Sequence, residues 1–428
     1  MKTENSNTKG GENLDLNDFL NMGKAATFEQ RINSFADYHS QVFAKKQSLY
    51  RRCLFSAADR SVEIKDPFTG EKRSMLMFGS NNYLGLAAHP HVIEAAQHAA
   101  REFGVGVGGP PLLNGYTTLH RQLEERLAAF KHAEDALIFP TGYSANVGLL
   151  SGLVTKKDRV LYDQLSHASF FDGLRLGGLR GYHFPHNDVS RLRQLLKRER
   201  ENGDVFVGVE GVYSMDGDIA PLDKIVSLCK NTGAILVVDD AHGTGVLGET
   251  GRGTAEHFGV QNDIDVTMGT FSKTFGVVGG FVCASKPIIN YLRYFARSYM
   301  FSASLPPMVI GAVLAGLDVI DREPERIQQL HDNVKYAAKK MQNFGCATTP
   351  ESAILTLPAP QSMDIRAAAY HLHKLGLFVN SIEYPAVPQD QQRFRISIMA
   401  THTKQDIDRL GEGITSVWEE NCAVRMAA

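Results

Sequence analysis

The chain predicts an α/β fold: a large domain built on a mainly parallel sheet, followed by a small α+β C-terminal domain. Two observations carry this. Between Ala136 and Ala284, short apolar runs alternate with helical patterns, the mark of strand–helix–strand units and a sheet covered on both faces. Beyond Phe344 the order changes to Ala353–Leu357, Ile365–Leu375, Phe378–Ser381, Phe394–Ile398 and Lys404–Trp418, a β-α-β-β-α series. We therefore expect an N-terminal arm and short strands over 1–75, a large domain over 76–325 and a small domain over 326–428.

Taken in order, Met1 to Leu14 is polar and nearly free of large apolar residues, so disorder is expected there. Leu16 to Phe43 spaces Phe19, Met22, Phe28, Ile32, Phe35, Tyr38 and Phe43 as a helix does, and an arm of this kind packs on a partner subunit. Val62 to Phe78 reads as two strands around Pro67-Phe68-Thr69-Gly70. Gly79-Ser80-Asn81-Asn82-Tyr83-Leu84-Gly85 makes a tight loop whose Asn side chains cap a helix or meet a ligand. After the amphipathic helix Pro90–Phe103, Gly104-Val105-Gly106-Val107-Gly108-Gly109-Pro110-Pro111 exposes backbone to close approach. No strand precedes this glycine run and no acidic residue follows at the spacing a dinucleotide fingerprint needs, which excludes NAD binding there.

Leu119–Phe130 is a helix and Ala136–Phe139 a strand. Pro140-Thr141-Gly142-Tyr143-Ser144-Ala145-Asn146 then leads into a helix from Val147, a strand–turn–helix arrangement suited to a phosphate. The strand Arg159–Tyr162 delivers His167 just past its end, where α/β folds place ligands. Val205–Val209 leads into Glu210-Gly211-Val212-Tyr213-Ser214-Met215-Asp216-Gly217-Asp218. Ala234–Val238 ends at Asp239, three residues before His242, and Val266–Gly269 ends at Thr270-Phe271-Ser272-Lys273. A helix over Pro307–Ile320 ends at the turn Asp321-Arg322-Glu323-Pro324, and a long helix over Arg326–Phe344 follows.

Composition narrows the function classes. A chain of 428 residues with 43% hydrophobic content has ample core, and a net charge of −2 leaves no electrostatic footprint for nucleic acid. The five cysteines are scattered without metal-ligand or disulfide spacing, so no metal and a reducing, cytoplasmic setting are expected. No apolar run reaches membrane-spanning length. Peripheral contact with a membrane surface stays open.

Lys273 has no charged residue nearer than Asp265 and Lys286. A lysine in a dry setting loses its proton readily and attacks carbonyls; the other reading is a lysine whose head reaches solvent past a strand end. Taken singly, Asp239 reads as a strand-end helix cap and His242 as a loop hydrogen bond. Together, a carboxylate, a lysine and a phosphate cradle on neighbouring strand ends match what pyridoxal phosphate (PLP) requires: Schiff base, pyridinium partner and anion site.

With these residues in place, the chain resembles the α-oxoamine synthase family of fold-type I PLP enzymes. The likeness spans Met77 to Trp418 and rests on SNNYLGL, TGYSAN, LSHASFFDG, EGVYSMDGD, VVDDAHGTGVLG, GTFSKTFG, FSASLPP and RISIMATHT. It implies a seven-stranded large-domain sheet and a homodimer with shared active sites. By the same resemblance, Lys273 holds the cofactor and removes the Cα proton, His167 stacks on the ring, Asp239 binds its nitrogen and His242 its hydroxyl. Gly142, Tyr143 and Thr270 hold the phosphate, with Ser302 reaching it from the other subunit; Ser214 lies beside the cofactor. Asn81 and Arg395 bind substrate, Arg395 at the amino acid's carboxylate. The implied reaction joins an amino acid to an acyl-CoA, or an acyl carrier protein thioester, with loss of thiol and CO2. FVNSIEYPAVP and GRGTAEHFGV look like bacterial serine palmitoyltransferases, and EGVYSMDGDIAPL like 8-amino-7-oxononanoate synthases. L-serine with a long-chain acyl-CoA is the first expectation, with alanine or glycine as alternatives; a non-catalytic partner subunit is disfavoured because Lys273, His167 and Asp239 are all present. Gly109-Pro110-Pro111 departs from both patterns.

Overall fold

Strand-forming residues appear early, and in the computed structural model they make β1 (Cys53–Leu54), β2 (Ser61–Lys65) and β3 (Lys72–Met77). The structure describes residues 19, 26–197, 203–346, 350–384 and 386–427, with side chains up to 420. The disorder expected for Met1–Leu14 lies outside the described residues, as does much of the segment preceding the helix Phe28–Ala44. That helix starts at a capping box between Thr27 and Gln30. β2 turns Val62 and Ile64 inward and its other residues out, the alternation of a half-buried strand. Asp66 closes the β2–β3 turn by accepting the backbone N–H groups of Phe68 and Thr69.

The large sheet contains β4 (Asp135–Phe139), β5 (Arg159–Asp163), β6 (Arg180–Phe184), β7 (Val205–Glu210), β8 (Ile235–Asp239), β9 (Val266–Thr270) and β10 (Gly280–Ala284). Their order is β4-β10-β9-β8-β7-β5-β6. The pairs from β9 to β6 are parallel, and β10 runs antiparallel to both neighbours. β7 and β10 are buried throughout, as strands with helices on both faces must be. β6 is an edge strand with four of its five residues exposed, so it carries no apolar run by which the sequence could reveal it. One apolar cluster joins Leu149, Phe170 and Val282 on one side of the sheet; another joins Leu222, Ile225 and Val238. Across the helix pair Pro90–Phe103 and Pro307–Arg322, a side chain at Gly311 would meet the Ala95 carbonyl at 2.8 Å, which explains the close packing there.

In the C-terminal region, β11 (Ile354–Pro358), β12 (Leu377–Phe378), β13 (Asn380–Ile382) and β14 (Arg393–Ser397) follow. The single strand expected over Phe378–Ser381 divides between two sheets. β13 joins β14 and β11, whereas β12 pairs in parallel with β3 and so completes the N-terminal sheet. A third cluster runs from Phe271, Phe275 and Phe281 to Phe394, Ile396 and Leu410, so the two parts of the chain share one core. Among the described residues, no helix is long and apolar enough to cross a membrane.

Candidate active site

Parallel strands deliver their following loops to one edge of a sheet. Here β5, β7, β8 and β9 open onto a cavity of about 300 Å³. Gly142, Tyr143, His167, Ser214, Asp239, His242, Thr270 and Lys273 all line it. The fourth wall is the N-terminus of the helix Gly142–Leu153, which begins five residues earlier than its apolar run because Thr141 caps it, Oγ1 accepting from Ser144 N at 2.9 Å. The first N–H groups of such a helix have no partner within it and face an anion well. β10 presses this terminus onto the sheet: a Cβ at Gly280 would sit 2.6 Å from Gly142 Cα, so only glycine allows the approach.

Lys273 reaches into the cavity from the loop after β9. Burial drives its pKa down to about 8, against the opposing pull of Asp239. About a tenth of the molecules then carry a neutral amine at pH 7, far more than an ordinary lysine allows and what a carbonyl-capturing lysine needs.

Asp239 is buried at the end of β8, its Oδ2 accepting from Asn146 Nδ2 at 2.7 Å and its Oδ1 from Ala241 N at 3.1 Å. Asn146 Nδ2 also donates to Ser169 Oγ at 2.9 Å, and Ser169 Oγ lies 2.7 Å from His167 Nδ1. Since the Ser169 N–H also points at His167 Nδ1, that nitrogen is an acceptor and the ring proton belongs on Nε2. The chain His167–Ser169–Asn146–Asp239 thus fixes a ring face and a carboxylate relative to each other. Asn146 and Ser169 were not singled out from the sequence; nothing local signals a bond between them.

His242 lies 2.7 Å through Nδ1 from the Tyr83 hydroxyl. Burial, then the nearby Lys273 and Arg395, push its pKa well down, so it is neutral. Behind it, Asp240 pairs with Lys131 at 2.7 Å in a fully enclosed site.

Asn81 and Arg395 meet each other, but neither forms part of the cavity wall. Arg395 Nε donates to the Ser214 carbonyl at 2.5 Å, and both terminal nitrogens donate to Asn81 Oδ1 at 3.2 Å. Arg395 is thereby one residue removed from the cavity, through Ser214. Ser302 is not brought to this cavity; it lines a separate small pocket with Pro111, Tyr116, His120 and Glu124.

The chemistry fits PLP. Asn146 Oδ1 and Glu210 Oε1 are buried without partners and belong to cavity-lining residues, as a polar ring requires. Gly142 has no Cβ that would crowd Thr270 Oγ1, so backbone N–H groups stand beside that hydroxyl, whose proton goes to the Gly279 carbonyl at 2.9 Å.

A strand-end lysine, a buried carboxylate and a capped helix terminus around one cavity define a PLP enzyme of fold-type I. The chain belongs to the aminotransferase class I and II family, whose model matches residues 73–414. Among curated proteins, it is 41% identical to 8-amino-7-oxononanoate synthase 1 of Bacillus velezensis over 84% of this chain and 91% of that protein. It is 35% identical to 4-hydroxy-2,2'-bipyrrole-5-methanol synthase PigH of a Serratia strain, over 94% of this chain but 62% of that protein. Among solved structures, the serine palmitoyltransferase of Sphingomonas wittichii superposes with a TM-score of 0.86 at 33% identity, covering 93% of this chain and all of that one. Within the family, the chain is thus a PLP-dependent acyltransferase of the α-oxoamine synthase type.

Proposed function

We propose that this enzyme condenses an amino acid with an acyl thioester, releasing thiol and CO2 and yielding an α-amino ketone. The observation that carries the proposal is a half-buried lysine lining the same helix-capped cavity as buried Asp239. When bound, PLP supplies an electron sink for the negative charge that develops at Cα. The chain supplies the rest. Lys273, as a neutral amine, takes the Cα proton. Asp239, held by Asn146, would pair with the ring nitrogen. The Gly142 and Tyr143 N–H groups with Thr270 would hold the phosphate, His167 would present its ring face and Nε2–H, and neutral His242 would meet the ring hydroxyl. Arg395 supplies a fork for the substrate carboxylate, exchanging Asn81 for it.

For the amino acid, we infer L-alanine. The 41% relative is an 8-amino-7-oxononanoate synthase, which supports the alternative held in the sequence over L-serine. The serine, long-chain reading keeps support from the serine palmitoyltransferase structure. Ser302 lies away from this chain's cavity, and its neighbour Phe301 is 68% exposed, which supports a homodimer in which Ser302 serves the partner's site. The four described cysteines are unpaired. Thiol release measured with L-alanine, L-serine or glycine against short and long acyl-CoA and acyl carrier protein thioesters tests the assignment. Turnover with L-alanine above the others supports it, and a preference for L-serine with palmitoyl-CoA overturns it.

A further inference from the structure

Glu210 ends β7, directly opposite Asp239 in the register of the parallel pair. It is 4% exposed and lines the same cavity. Its Oε1 is buried and unpartnered. Two carboxylates at adjacent strand ends in a dry cavity repel strongly. Among the described residues no cation pairs with Glu210. The groups that act on it are Asp239, Lys273, Asp163 and the backbone of His167. Asp239 has its own donors in Asn146 and Ala241, so the negative charge is stabilised there and not on Glu210.

We propose that Glu210 carries a proton in the working enzyme and acts as a neutral hydrogen-bond donor into the cavity. This rests on the reading of the cavity as the cofactor site. Its partner is an electron-rich oxygen, belonging either to the bound cofactor or to the substrate. A neutral donor adds a hydrogen bond without a second negative charge, which would raise the pKa of Lys273 and diminish its neutral form. Burial and the adjacent Asp239 both favour the protonated state, in agreement with this role.

The test compares Glu210→Gln, which keeps a neutral donor of the same shape, with Glu210→Ala. In the cofactor-free protein, the infrared difference between wild type and Glu210→Gln should contain a protonated-carboxyl stretch at neutral pH. Its absence overturns the proposal whatever becomes of the cofactor reading, and failure of the wild type to bind PLP overturns that reading separately. With PLP added, Glu210→Gln should keep the absorbance band of the lysine–cofactor complex and its titration midpoint. Glu210→Ala should shift the band without substrate if the partner is a cofactor oxygen. If the partner is a substrate oxygen, the band stays and turnover falls about tenfold, the worth of one hydrogen bond. Glu210→Gln as impaired as Glu210→Ala, or Glu210→Ala equal to wild type in both readouts, refutes the donor role. Should Glu210→Ala fail to fold, the infrared and Glu210→Gln measurements decide alone.

Discussion

Replacing Lys131 by methionine should destabilise the whole cofactor edge of the sheet. Lys131 Nζ makes three hydrogen bonds: to Asp240 Oδ2 at 2.7 Å, Thr244 Oγ1 at 2.8 Å and the Arg252 carbonyl at 2.6 Å. The other Asp240 oxygen accepts from the N–H and hydroxyl of Thr254. Both charged groups are about 96–97% buried. The carboxylate has nowhere to go: Cβ atoms built on Gly253 and Gly243 would lie 1.8 and 2.1 Å from its oxygens, so backbone surrounds it closely. Methionine fills the volume and leaves the charge unpaired, which costs about 3–5 kcal/mol. Asp240→Asn alone should cost a comparable amount, and the double variant less than the sum, since it removes both charges. The effect should reach the active site. The turn from Asp240 to Thr244 contains His242, and Thr274 beside Lys273 donates to the Thr244 carbonyl at 2.7 Å. Urea unfolding of the three variants, with PLP retention measured in parallel, provides the assay. A Lys131→Met cost under about 1 kcal/mol, or strict additivity in the double variant, would refute the buried-pair reasoning.

Three further outcomes are expected. Lys273 has a folded pKa of about 8, against 10.5 for an ordinary lysine, so capture of added PLP should accelerate about tenfold per pH unit below 8 and level off above it; a midpoint near 10 would contradict its dry setting. His186 bridges Asp163 and Asp218 at 3.1 and 2.7 Å, and although burial pulls its pKa down, the two carboxylates raise it to about 10. Because that value lies above 6.5, its stabilisation is complete below pH 6.5 and is lost as pH rises through 10. His186→Gln should therefore flatten the decline in stability across that window, and parallel wild-type and variant curves would sink the idea. Arg395→Lys should raise the amino-acid KM about 10- to 100-fold through loss of a charged fork, with little change in the thioester KM; equal effects on both substrates would place Arg395 elsewhere in the mechanism.

Much of the site was legible because its residues sit where apolar strand runs stop. Asp239, His167 and Lys273 each follow such a run, and the turn Pro140–Asn146 announced a helix terminus, although the helix begins within it at Gly142. Glu210 carried the same signal at the end of an apolar run, but its meaning depends on register with Asp239, which strand order decides. The roles of Asn146 and Ser169 are likewise long-range and invisible to periodicity. In the fold, β6 was hidden by its exposed residues, and no local pattern shows that β12 leaves its neighbour β13 to pair with β3. Arg395 was read at the carboxylate site; in the structure its guanidinium donates to the Ser214 carbonyl, a link that no local pattern shows.

The most direct test of the central claim is carbon and thiol accounting in one reaction. The PLP-loaded enzyme would receive carboxyl-labelled L-alanine and an acyl-CoA, with labelled CO2, free thiol and amino ketone measured together. The account predicts equal amounts of all three and none with Lys273→Ala. Thiol release without CO2, a keto acid in place of the amino ketone, or turnover that survives loss of Lys273 would contradict it.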